Sequence, residues 1–223
     1  MRPSNNILLK MGKKEIAPGY FEIKWVDCDT QNRGNTTGVG WGAYAVTDIT
    51  GVLKRTRWQL EAKCIRTGSV GEWNFLCGSE LTDNETGYIK LRMYGSGDNG
   101  WEHNTGSTAH TVCPLGVVQN ISIEKRVVTI NDYQTWTVNS SNVVNRNKFC
   151  IGGAELVTAR SDGYKRTWCG LIGRVKVSQD GVTYGDFYPS KKKSDGTVGF
   201  YDLVSEKFYP SSNPSVHFKE GKI

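Results

Sequence analysis

No segment of ten or more residues carries a sustained 3.6-residue apolar period, and LVTAR at 156–160 is too short to count. A helical bundle or a helix-wrapped sheet is therefore not expected. No stretch approaches the ~18 uninterrupted apolar residues of a membrane-spanning helix, and mean hydropathy is −0.47. There is no G-x-S-x-G, so no serine nucleophile is signalled. Internal repeats and low-complexity linkers are absent as well. The opening MRPSNNILLKMGKKEI holds only the short run ILL before Lys10 and does not read as a secretion signal. Charge of one sign is not concentrated: 28 basic residues face 22 acidic ones, for a net +6. Only Lys191–Lys193 form a run, whereas a dedicated nucleic-acid binder gathers its charge on one patch.

What is present is β-type sequence. In RWQLEAKCI, Trp58, Leu60, Ala62 and Cys64 alternate with Gln59, Glu61 and Lys63, one face apolar and one polar. YIKLRMY alternates in the same way, Ile89, Leu91 and Met93 against Lys90 and Arg92. NISIEK places Ile121 and Ile123 on one side, and GRVKVS sets Val175 and Val177 against Arg174 and Lys176. Asp162-Gly163, Asp180-Gly181 and Asp195-Gly196 mark hairpin turns, since both residue types tolerate positive φ. Many short alternating strands over some 200 residues imply an all-β fold, a two-sheet antiparallel sandwich. Residues 1–18 read as a separable arm or small hairpin, a possible docking segment, and 19–223 as the sandwich domain. Trp25, Trp58, Trp73 and Trp136 fall at core or strand positions. The six cysteines, widely spaced in a large domain, read as buried reduced thiols. Four N-x-[ST] sequons begin at Asn35, Asn84, Asn120 and Asn139, and without export they have no use.

The residues that could carry chemistry fall mostly in the segments between these strands. A glycosidase on a sandwich presents two carboxylates to one groove. The best cluster, Glu80, Asp83 and Glu85, fails because Glu80 would face away from the other two on a strand. His103, His110 and Cys113 lack zinc spacing. GVGWGA at 38–43 matches a dinucleotide fingerprint formally but lacks the helix that fingerprint needs. Asp27-Cys28-Asp29 offers hard oxygen ligands, so Asp27 and Asp29 are the metal candidates, for calcium, with a turn cap as the competing role. No other cofactor is expected. GSGDNGWEHNTGS, 95–107, reads as a loop in which Trp101 stacks on a sugar while Asp98, Asn99, His103 and Asn104 bind its hydroxyls. The competing role for Trp101 is to plug a sandwich edge. Trp41 and Tyr44 are weaker candidates of the same kind.

One long stretch carries a family pattern. Gly173-Arg174-Val175-Lys176-Val177 is followed by Asp186-Phe187 with Pro189, a Lys/Ser/Asp-Gly turn, Gly199, Tyr201-Asp202 and Phe208-Tyr209. This resembles the closing segment of concanavalin A-like (LamG-type) jelly-roll domains, found in virion and tail-fibre proteins of gut Bacteroidales phages and in related bacterial surface proteins. WNFLCGSE and KFCIGGAE resemble the family's strand-plus-glycine elements, while 20–50 departs from its usual opening. The resemblance implies a jelly roll, and a shared fold does not carry an activity with it. The expectation is a non-enzymatic lectin-like domain, a phage virion component of head or tail fibre. It would be assembled in the host cytoplasm and present rim loops to a surface glycan or receptor protein. The alternative is an extracellular, cell-surface glycan-binding module, and less favoured is a glycosidase of the same fold. Other virion proteins and a homo-oligomer are the further partners expected, with no nucleic acid and no membrane span. In this frame Lys191–Lys193 cap the Asp195-Gly196 turn, Phe187, Phe200 and Phe208 face inward, and Tyr201 is more exposed.

Overall fold

A computed structural model describes residues 14–29, 42–68, 73–79, 89–94, 100–103, 107–109, 114–131, 134–137, 143–153 and 167–223. The strands are β1 (Glu15–Ala17), β2 (Tyr20–Glu22), β3 (Val26–Asp27), β4 (Ala45–Val46), β5 (Trp58–Arg66) and β6 (Trp73–Gly78). They continue as β7 (Lys90–Tyr94), β8 (Gly100–His103), β9 (Ser107–Ala109), β10 (Val118–Glu124), β11 (Val127–Ile130) and β12 (Gln134–Thr137). The last six are β13 (Cys150–Ile151), β14 (Gly170–Gln179), β15 (Val182–Lys192), β16 (Val198–Asp202), β17 (Lys207–Pro210) and β18 (Lys219–Glu220). The described residues contain no helix.

These strands form two antiparallel sheets. The larger runs β1-β2-β15-β14-β5-β10-β11-β12, with β16 and β17 added beyond β15, and β3 and β18 beside β14. The smaller runs β4-β13-β6-β7-β8-β9. One apolar cluster joins them: Leu60, Ile121, Ile123, Val128, Val175 and Val177 from the larger sheet meet Leu76, Leu91, Met93 and Trp101 from the smaller. The chain is therefore an all-β, two-sheet antiparallel sandwich of jelly-roll type. Burying one such Leu, Ile or Val side chain is worth roughly 1.5–3 kcal/mol, which is why the inward positions are mostly aliphatic or aromatic.

The alternation read from RWQLEAKCI holds, with Leu60, Ala62 and Cys64 buried and Glu61 and Lys63 exposed. β10 and β14 follow it too. YIKLRMY does not. Lys90 and Arg92 are only 3% and 5% exposed, so both faces of β7 are covered. The Arg92 guanidinium lies over the Phe75 ring at 5.2 Å, an arrangement that lets a cation be sheltered by an aromatic face.

Turn chemistry acts where it was expected. Asp180 and Gly181 take φ of 53° and 83° and join β14 to β15, the double positive-φ turn whose twist suits a hairpin. From Glu15 onward the expected arm is part of the sandwich. β1 pairs with β2 through the Pro18-Gly19 turn, and β2 pairs with β15. The break after Ala17 is thus a hairpin turn, and residues 1–13 lie outside the described residues.

Candidate functional site

Each lysine of the 191–193 run meets its own carboxylate: Lys191 with Glu220 at 3.2 Å, Lys192 with Asp195 at 3.4 Å, Lys193 with Glu15 at 2.7 Å. Lys193 also sits 4.7 Å over the Phe21 ring. The run is a neutralised clasp at a turn. Asp195 accepts the Thr197 amide at 2.9 Å, and its carboxyl is lowered to about 2 by Thr197 and, more weakly, Lys192. Phe187 and Phe200 are fully buried, as read from sequence. The positions of Tyr201 and Phe208 are corrected: Tyr201 is buried and Phe208 half-buried. Tyr20 covers both, with ring centroids 4.9 and 5.0 Å away. The register explains it, because Tyr201 stands opposite Phe208 on one face of β16–β17.

Of the loop expected at 95–107, residues 100–103 form β8 and Ser107 opens β9. Trp101 belongs to β8, opposite Met93, and is 0% exposed. Its ring stacks on Trp168 at 5.7 Å and 17°. A large aromatic gains more from burial and offset stacking than from standing in water, so this ring offers no face to a sugar. His103 ends the same strand, paired with Leu91 and Ser107. Asp98, Asn99 and Asn104 lie outside the described residues, as do Trp41, Glu80, Asp83, Glu85, His110 and Cys113. Tyr44 is half-buried, and its carbonyl accepts the Ser212 amide. Trp25 and Trp58 are core, as expected. The five described cysteines are buried free thiols.

Asp27 and Asp29 take up turn work. Asp27 Oδ1 accepts the Asp29 amide at 2.9 Å, and Asp29 has φ 54° and pairs with Lys219 at 2.9 Å. Burial raises the Asp27 carboxyl above its ordinary value. An ammonium already holds the Asp29 oxygen that a cation would use. No group of three or more potential metal ligands occurs among the described residues.

The site that does assemble is on the outer face of the larger sheet. The inward residues of β5, β10 and β14 build the core, so the intervening ones must share the opposite face. Register aligns Ser122 with Glu61 and Lys176, and Asn120 with Lys63. Arg174 sits where the β14–β5 register shifts. Glu61, Lys63, Asn120, Ser122 and Arg174 line a shallow depression of about 220 Å³. A second one, about 490 Å³, is lined by Glu124, Lys125, Arg126, Val127, Thr129 and Thr137, and the two meet at Ser122. Together they form a trough along β10.

Its carboxylates on the β14 side are committed. Arg174 grips Asp186 through two bonds of 2.6 and 2.7 Å and lies 4.9 Å over the Tyr188 ring. The Asp186 contact raises Arg174 further above its ordinary value. Glu61 meets Lys176 at 3.3 Å. At the other end of Lys63, the buried Trp25 packs against Gly173, where an added Cβ would come 3.1 Å from both Trp25 and Lys63.

These residues were missed in the sequence because each looks like the wet side of a strand. The signal lay in the register: three alternating strands in adjacent positions put their polar halves together. No protein-family model matches the chain, and no curated protein is significantly similar to it.

Proposed function

We propose that the chain is a non-enzymatic, lectin-like binding domain of the concanavalin A-like, LamG-type kind, which takes a surface glycan in the trough along β10. The observation that carries this reading is the trough itself. Two open depressions adjoin at Ser122 on one sheet face and are lined by amide, hydroxyl and charged side chains that can donate to and accept from sugar hydroxyls. The binding surface therefore moves from the rim loop around Trp101 to the sheet face.

A hydrolytic role has less support. Asp186 and Glu61 flank Lys176 on β15, β14 and β5, which spaces their backbones by two strand separations, roughly 9–10 Å. That spacing is wider than the roughly 5–5.5 Å between the carboxyl groups of a retaining glycosidase and lies at the upper edge of the roughly 6.5–9.5 Å of an inverting one, so it is the pairing of the two carboxylates that speaks against hydrolysis. Both carboxylates are also engaged by cations, whereas a general acid must hold a proton.

A virion role, in head or tail fibre, rests on the resemblance of 173–209 to phage domains of this type. Mass spectrometry of purified particles against envelope fractions of a Bacteroidales host distinguishes it from a cell-surface module. The binding claim is tested on a glycan array with the wild-type chain and Ser122→Trp, which fills the junction of the two depressions. Binding by the wild type and its loss in a folded Ser122→Trp protein is the expected result. Hydrolysis of a β-glucan would overturn the non-enzymatic reading.

A further inference from the structure

We infer that the glycan is an acidic polysaccharide, a polymer whose sugars carry carboxylates, an inference that rests on the trough being a glycan site. Among the described residues the trough is lined by four cations, Lys63, Lys125, Arg126 and Arg174, against two carboxylates, Glu61 and Glu124. Arg174 is satisfied by Asp186, and Glu61 by Lys176. That leaves Lys63, Lys125 and Arg126 exposed with no ion-pair partner among the described residues, facing the single uncommitted carboxylate of Glu124. The contrast with Lys191–Lys193 is direct, since each of those has its own acid.

The positions of the free cations narrow the ligand further. Lys63 stands beside Asn120 at one end, and Lys125-Arg126 form the β10–β11 turn at the other. Asn120 and Glu124 are four strand positions apart, roughly 13 Å. One acidic sugar cannot reach both ends, whereas a polymer with repeated carboxylates can. Ser122 and Thr129 lie between, suited to hydroxyls. The guanidinium of Arg126 matches the planar fork of a carboxylate. Among the described residues no aromatic ring lines either depression, so these residues offer unstacked nucleic-acid bases no platform.

Binding of the purified full chain to an oligogalacturonate, its methyl ester and a sulfated galactan, with a single-stranded oligonucleotide as a fourth probe, tests this. The free acid should bind at least tenfold more tightly than the ester at low salt, with the difference shrinking as salt screens it. The Lys63→Glu/Arg126→Glu double variant should lose roughly tenfold in affinity for the acid, each exposed contact being modest, while Lys207→Glu, on β17 and outside the lining of both depressions, should not. The wild-type comparison of acid with ester needs no variant and stands even if the double variant folds poorly. Equal, salt-insensitive binding of acid and ester overturns the acidic preference and leaves the lectin reading intact. Tighter binding of the sulfated galactan or the oligonucleotide overturns the carboxylate assignment. No binding to any carbohydrate overturns the lectin reading itself, and this inference with it.

Discussion

β5 and β7 carry the same kind of sequence, apolar residues alternating with basic or acidic ones, yet they end in opposite surroundings. Glu61 and Lys63 of β5 stand in solvent beside the trough. Lys90 and Arg92 of β7 are buried. Alternation reports that two faces differ. It does not report that the polar face is wet. On β5 the polar face is open to solvent, and on β7 it is part of the interior.

Substitutions break this comparison at different scales. Trp101→Ala in the smaller sheet should cost about 3–5 kcal/mol, the usual loss for a fully buried tryptophan, read as a shifted urea midpoint. A conservative Trp101→Phe that retains glycan binding would separate this core role from a ligand role. Arg92→Glu should cost about 3 kcal/mol or more, because it places an anion where a sheltered cation stood. Lys63→Glu, at the equivalent kind of position in β5, should stay within about 0.5 kcal/mol. If the two charge reversals cost the same, the contrast between the sheets is wrong. Gly199→Ala should cost about 1–3 kcal/mol, since its Cβ would lie 2.4 Å from the Tyr209 carbonyl oxygen.

The smallest effect is at the lysine turn. The folded Asp195 carboxyl, at about 2, lies below the ordinary value near 3.9, so folding favours its ionised form. Its contribution is therefore present above about pH 4 and fades as pH falls through about 2. An NMR titration of the Asp195 carboxyl should show that low midpoint, and Thr197→Val should move it upward. An Asp195 midpoint near 4 in the wild type would mean the turn cap is not formed in solution.

Much of the fold was legible in the residues. The inward sets of β5, β10 and β14 follow from period-two alternation, and the β14–β15 hairpin follows from Asp180-Gly181. Phe187 and Phe200 were placed correctly in the core. The candidate site was not legible. Trp101 sits among Gly, Asp and Asn residues, which read locally as a loop, but its fate was decided by Trp168, far along the chain. Tyr201 reads as the outer ring in the sequence, but Tyr20, far along the chain, covers it.

The sequence by itself determined the secondary structure and the class of fold, because side-chain period and turn residues act between near neighbours. Only the tertiary structure decided which polar residues are available. Glu15 and Glu220, from opposite ends of the chain, neutralise Lys193 and Lys191, and Asp186 and Lys176 occupy Arg174 and Glu61. Within the trough, Lys63, Lys125 and Arg126 are left without an ion-pair partner among the described residues. Charge complementarity is a sum over groups that only folding brings within a few ångströms, so a list of charges in chain order cannot show which of them remain free.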